Sequence, residues 1–280
     1  MSEKVTVSYF ARAKMEHRPI TMLTAYDYPM AKLVDAAGID SILVGDSVGN
    51  VVLGYGSTIP VTMDDMVHHV KAVTRGVSRA MVVGDMPFLS YHLSVEESVR
   101  NAGRLLQEGG AQAVKLEGGR EVAGAIRAMV TAGIPVIGHL GLTPQSVLTM
   151  GGYRVQGKDE AAARKLIEDA GAVQEAGAFA LVLECVPVPL AQIITETLKI
   201  PTIGIGAGPY CDGQVLVTHD MIGLYGGKSP KFVKRYVNLS EEIMKALESY
   251  RDDVVSRNFP GPEHGTGMPG EVIEKIKAKG

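Results

Sequence analysis

One pattern recurs along this chain: a short apolar run, a polar side chain at its end, then a longer stretch with helical spacing. The runs SILVGDS (41–47), MVVGDMPF (81–88), AVKLEGG (113–119), PVIGHLGL (135–142) and LVLECVP (181–187) read as strands. Eight strand candidates begin near Pro19, Asp40, Ala80, Ala111, Pro135, Phe179, Ile200 and Gly213. Amphipathic stretches lie between them: YPMAKLVDAAG (28–38), TMDDMVHHVKAVTRG (62–76), SVEESVRNAGRLLQEGG (94–110) and DEAAARKLIEDAGAVQEAGA (159–178). Thr62 with Asp65 and Ser94 with Glu97 have capping-box spacing. Gly38, Gly110, Gly133 and Gly177 sit where a helix turns back into a strand.

Strand–helix alternation predicts a parallel sheet, and eight units in this length fit an α/β fold of the (β/α)8 TIM-barrel type. A doubly wound open sheet is the competing arrangement, with fewer strands and a crevice at a switch point. No linker composition precedes about residue 256, which predicts one catalytic domain over 1–256. Residues 257–280 form a Gly/Pro-rich tail ending in a short helical pattern.

A strand buried on both faces has no use for a charge in its interior. At the carboxyl ends of barrel strands, charges converge on one mouth. Asp46, Asp85, Lys115, Glu117, His139 and Glu184 all fall at such ends. Side chains alternate along a strand, so Lys115 and Glu117 share a face. Val44, Val83, Ile137 and Val182 are expected one layer beneath Asp46, Asp85, His139 and Glu184.

Composition removes several classes of function. Hydrophobic residues make up 46% of the chain, charged residues 21%, and the net charge is −3. No basic footprint points to nucleic acid. No apolar run spans a bilayer, and the N-terminus has no signal core, so no membrane is expected and the setting is cytoplasmic. Cys185 and Cys211 read as reduced thiols.

Three carboxylates meeting without a cation would repel one another, and burial would raise their pKa values. A divalent ion resolves this, and oxygen-only ligands favour Mg²⁺ over Zn²⁺. Helix capping is the plainer reading of each carboxylate, weakened by the loops that follow Asp46 and Asp85. Lys115 reads as a Schiff-base amine, an ion-pair partner of Glu117, or a cation for an anionic substrate. Glu184, on an otherwise apolar strand, suits a general base with a raised pKa; a supporting partner of Lys115 or a fourth metal ligand is the alternative. His139 is open between base, oxyanion donor and structural histidine. His68 and His69 read as surface. GIGAGPYCDG (204–213) reads as an anion-cradling loop or a tight turn.

The chain resembles the ketopantoate hydroxymethyltransferase family. The likeness runs from about residue 4 to 264. It rests on MLTAYDYPMA (22–31), VGDSVGNVVLGYGST (44–58), VVGDMPFLSY (82–91), VKLEGG (114–119), GHLGLTPQSV (138–147), GGYRVQGK (151–158), LVLECVP (181–187), IGIGAG (203–208) and KFVKRY (231–236). The resemblance implies a barrel similar to the phosphoenolpyruvate mutase and isocitrate lyase group. It implies one-carbon transfer from 5,10-methylenetetrahydrofolate to 3-methyl-2-oxobutanoate, giving 2-dehydropantoate in pantothenate synthesis. Carried over, Asp46 and Asp85 ligate Mg²⁺ and Glu117 completes the shell. Ser47 and Lys115 hold the 2-oxo acid near His139, and Glu184 accepts the proton. Members are homo-oligomers, often decamers.

Two alternatives stand beside this. One is a Mg²⁺-dependent carbon–carbon lyase or mutase of 2-oxo acids; Cys185, the only cysteine near the site, has strand parity that points it away from the interior. The other is a non-catalytic oligomeric scaffold, disfavoured because idle buried charges are costly. The segments 48–60 and 143–158 are candidate lids.

Overall fold

The computed structural model describes residues 3–224 and 230–278. Eight strands close into an all-parallel barrel in chain order. They are β1 (Ile20–Thr24), β2 (Ser41–Val44), β3 (Met81–Asp85), β4 (Ala113–Glu117), β5 (Val136–Gly141), β6 (Ala180–Glu184), β7 (Thr202–Ile205) and β8 (Gly213–Leu216). β1 closes the ring on β8, with Ile20 opposite Gly213. The open-sheet alternative is excluded by that pairing.

The helices form where spacing and capping place them. Thr62 and Asp65 make both bonds of the capping box at the start of the Met63–Thr74 helix. At Ser94 the forward bond forms, from the Glu97 amide to Oγ at 3.1 Å. Gly38, Gly110, Gly133 and Gly177 all adopt positive φ, between 80° and 102°, which ends each helix without a Cβ penalty.

Strand parity sorts the apolar residues into two layers. Leu43, Val83, Ala113, Ile137, Val182, Ile203 and Val215 fill the barrel interior. Ile42, Val82, Val114, Leu116, Val136 and Leu181 face outward, against helix residues such as Val70, Leu105, Ile126 and Val173. Val44 belongs to this outer layer, so it does not lie beneath Asp46. β2 ends at Val44, and the turn through Gly45 brings Asp46 to the mouth outside strand parity. The other three stacked pairs hold, with Val83, Ile137 and Val182 inside.

The opposite end is plugged. The helix Val7–Met15 buries Phe10 against Phe179, ring centroids 5.3 Å apart. Beside it Asp40 accepts hydrogen bonds from Tyr9, from the Thr21 amide and hydroxyl, and from Arg79 at 2.8 Å. With that face sealed by packing, the carboxyl-end mouth is left for chemistry.

The segment 48–60 is not all loop: residues Val48–Val51 form a helical turn. After β8 the helix Leu239–Val255 buries no side chain and exposes Met244, Leu247 and Tyr250. The tail contains a helix at Gly270–Lys277. Among the described residues no helix is long and apolar enough to cross a membrane.

Candidate active site

Asp46, Ser47, Asp85, Lys115, Glu117, His139 and Glu184 line one cavity of about 570 Å³ at the carboxyl ends of the strands. Strand register explains the gathering. Asp85 is level with Lys115, Glu117 with His139, and Gly141 with Glu184. Neighbouring strands of a parallel barrel are staggered, so side chains near successive strand ends reach a common layer.

Contacts within the layer are specific. Lys115 Nζ lies 2.9 Å from Asp85 Oδ1. The buried ion partner of Lys115 is thus Asp85 rather than Glu117. Asp85 Oδ2 accepts the backbone N–H of Asp46 at 3.1 Å. His139 lies between two carboxylates, Nδ1 3.6 Å from Glu117 Oε1 and Nε2 3.3 Å from Glu184 Oε2. Lys115 Nζ is also 3.2 Å from His139 Nδ1. Asp85, Lys115, Glu117 and His139 are almost wholly buried, whereas the Glu184 side chain keeps 16% exposure at the inner rim.

Burial dominates the electrostatics. It pushes Asp85 up to about 7 against the pull of Lys115, with Asp46 and Glu117 adding to the rise. Burial likewise raises Glu117, opposed by His139. For His139, burial and Lys115 both disfavour the charged ring, but contacts with Glu117 and Glu184 outweigh them and raise it to about 9. Burial disfavours the Lys115 ammonium, but Asp85, Glu117 and Asp46 more than restore it.

Four carboxylates thus face two cations. Glu117 Oε1 is buried without a hydrogen-bond partner. An all-oxygen donor set with an unused buried acceptor fits a hard divalent ion. Among the described residues no three His, Cys, Asp or Glu side chains close into a ligand cage. That openness suits an ion that keeps waters or substrate oxygens in its shell.

Several residues at the mouth escaped sequence reasoning. Gln145 and Tyr91 are buried and bonded to each other at 2.7 Å. Ser47 Oγ meets Tyr26 OH at 2.8 Å, and His69, half-buried rather than on the surface, bonds the Tyr26 carbonyl at 2.7 Å. Thr58 Oγ1 is buried without a partner and lines the cavity with Tyr153, Arg154, Lys231 and Phe232. Apart from His69 on the Met63–Thr74 helix, they stand on loops and turns where no periodicity reports direction.

Two other expectations change. Cys185 has φ of 49°, which breaks strand parity, and it lines the cavity instead of facing away. Burial raises its thiol to about 11, so it stays protonated at neutral pH and is a poor nucleophile. In the 204–213 loop, a Cβ on Gly206 would come within 2.8 Å of the Phe232 ring, and one on Gly208 within 2.6 Å of Val188. Close packing in a tight turn accounts for these two glycines.

Comparison with known proteins agrees with this geometry. A family model described as ketopantoate hydroxymethyltransferase matches residues 4–262. The 3-methyl-2-oxobutanoate hydroxymethyltransferase of Syntrophus aciditrophicus is 60% identical over 261 residues, covering 93% of this chain and 96% of its own. Its namesake from Enterococcus faecalis is 58% identical over 273 residues, covering 98% and 99%. Among solved structures, phosphonopyruvate hydrolase superposes with a TM-score of 0.61 at 14% identity, covering 99% of this chain and 96% of that one. A 2,3-dimethylmalate lyase of the PEP mutase/isocitrate lyase superfamily gives 0.59 at 14% identity, covering 98% and 97%. At such identities these structures share the fold alone. By the family model and its close relatives, the chain belongs to the ketopantoate hydroxymethyltransferase family.

Proposed function

We propose that this enzyme transfers a hydroxymethyl unit from 5,10-methylenetetrahydrofolate to 3-methyl-2-oxobutanoate, forming 2-dehydropantoate for pantothenate synthesis. The observation that carries the reading is one cavity holding an oxygen-rich acidic cluster, a buried lysine and a rim carboxylate. The methylene carbon comes from the folate and the new hydroxyl from water. The lyase or mutase reading has less support, since the Cys185 thiol is held protonated and the near relatives share a transferase name.

Asp46 and Asp85 would hold Mg²⁺, with Glu117 behind them. The bound ion supplies Lewis acidity, drawing charge from the keto oxygen of the 2-oxo acid. Lys115 and Ser47 receive the substrate carboxylate. Glu184 takes the C3 proton, and its partial exposure lets it return that proton later. His139, whose Nε2 lies 3.3 Å from Glu184 Oε2, orients that carboxylate. Segments 48–60 and 143–158, which give Thr58, Tyr153 and Arg154 to the cavity, wall it and limit the entry of solvent. The folate enters over these loops. The exposed Met244, Leu247 and Tyr250 on the Leu239–Val255 helix support a homo-oligomer, and the decamer implied by the family is the form proposed.

The test is exchange without folate. In D₂O with Mg²⁺, the enzyme is expected to exchange the C3 hydrogen of 3-methyl-2-oxobutanoate, collapsing the methyl doublet in the proton NMR spectrum. Glu184→Gln is expected to bind the acid yet lose the exchange, because an amide is a very weak base. Exchange at the parent rate in that variant refutes the assignment.

A further inference from the structure

Gln145 carries no charge, yet it hydrogen-bonds two carboxylates of the polar layer, Asp46 and Glu117. It follows β5, inside the turn Pro144–Ser146, and is 4% exposed. Its Nε2 donates to Asp46 Oδ2 at 2.8 Å and to the Met86 carbonyl at 2.9 Å. Its Oε1 accepts from Tyr91 OH at 2.7 Å. Its backbone N–H donates to Glu117 Oε2 at 3.0 Å. Tyr91 OH in turn accepts the Glu117 N–H at 3.2 Å. One residue thus joins the ends of β2, β3 and β4 to the segment 143–158, which walls the cavity with Tyr153, Arg154 and Val155.

The amide orientation is fixed by its surroundings. The Met86 carbonyl can only accept, so the nitrogen must face it, and Asp46 receives the second proton. A neutral donor has an advantage in this place. A lysine would pair with Asp46 and compete with any cation there, and a glutamate would repel it. The amide aims the carboxylate while leaving its charge in place.

We infer that Gln145 is a positioning residue for the transfer reaction. It sets the orientation of the Asp46 and Glu117 carboxylates and couples that orientation to the seating of segment 143–158. Tyr91 acts through Gln145 by holding its Oε1. The inference rests on the proposed roles of Asp46 and Glu117.

The test compares Gln145→Met, Tyr91→Phe and the double variant as full-length enzymes. Steady-state kinetics of the transfer and Mn²⁺ affinity by electron paramagnetic resonance are the two readouts. Gln145→Met is expected to lower kcat/KM by about 10- to 100-fold and to weaken Mn²⁺ binding by a similar factor. Tyr91→Phe is expected to lose less in the same direction, and the double variant no more than Gln145→Met alone. Losses that multiply in the double variant are the signature of two separate packing defects and overturn the inference. So does a Gln145→Met enzyme within about twofold of the parent in kcat/KM. If Gln145→Met does not fold, Tyr91→Phe decides, and parental kcat/KM there overturns the inference. A parent that binds no Mn²⁺ refutes the metal reading alone, while the kinetic comparison still decides on Gln145.

Discussion

At the level of single residues, the site is governed by an excess of buried negative charge. Lys115 faces Asp85 at 2.9 Å, and both side chains are at most 5% exposed. Breaking a buried pair ordinarily costs about 3–5 kcal/mol, because the remaining charge is stranded. Here burial already raises Asp85 to about 7, so Asp85 can lose its charge by taking a proton. Lys115→Met is therefore expected to fold, with KM for the 2-oxo acid raised and kcat lowered. An unchanged KM confines Lys115 to pairing with Asp85. Asp46 differs, since its contacts are a backbone bond to Asp85 and the Gln145 amide. Asp46→Asn is expected to fold normally and to lose turnover that added Mg²⁺ does not restore, whereas the parent stripped by a chelator recovers when Mg²⁺ returns. Parental turnover by Asp46→Asn at limiting Mg²⁺ refutes its place in the ion's shell.

At the level of elements, β5 and β6 meet at a point with no spare room. Gly141 ends β5 with φ of 95°, and a Cβ there would lie 2.2 Å from the Glu184 carbonyl. That carbonyl accepts the Leu142 N–H at 2.8 Å. Gly141→Ala must therefore push β6 away exactly where Glu184 leaves the sheet. Positive φ costs an alanine about 1–2 kcal/mol, and overpacking adds about 1–3. A loss of roughly 2–5 kcal/mol by urea denaturation is expected, together with reduced turnover in the protein that remains folded. A parental denaturation midpoint means β6 gives way freely. The strands and the Gly-capped helix ends were legible because both are local: periodicity sets one and φ sets the other. The route of Asp46 through Gly45, the φ of Cys185 and the reach of Gln145 were not. Each is a loop residue whose direction comes from contacts with strands distant in sequence.

At the level of the whole molecule, the sealed end holds an acid-sensitive contact at Asp40. Burial opposes the charged form of Asp40, but bonds from Tyr9, Thr21 and Arg79 outweigh it and hold the carboxyl below its usual range. A carboxyl depressed in the folded state stabilises above its unfolded pKa, near about 4. That contribution disappears as pH falls through the lower folded value. Its side chain is 8% exposed and Arg79 19%, so Asp40→Asn is expected to cost about 2–4 kcal/mol at pH 7. The gap in urea midpoint between parent and variant should stay constant from about pH 8 to 5 and narrow below about 4. A gap that persists undiminished at pH 3 means the Asp40 charge adds nothing.

The ring of strands is not used evenly. The six ionisable groups at the strand ends come from the consecutive arc β2 to β6, while Thr24, Ile205, Val215 and Val217 face the same cavity from β1, β7, β8 and the residue just beyond, with Asp220 and Lys231 following them in the chain. The charged strand ends and the uncharged strand ends thus occupy different stretches of one closed sheet. Such a division favours piecemeal change. The mute arc can be recut for a slimmer or bulkier acid, one side chain at a time, while the reactive arc is inherited intact.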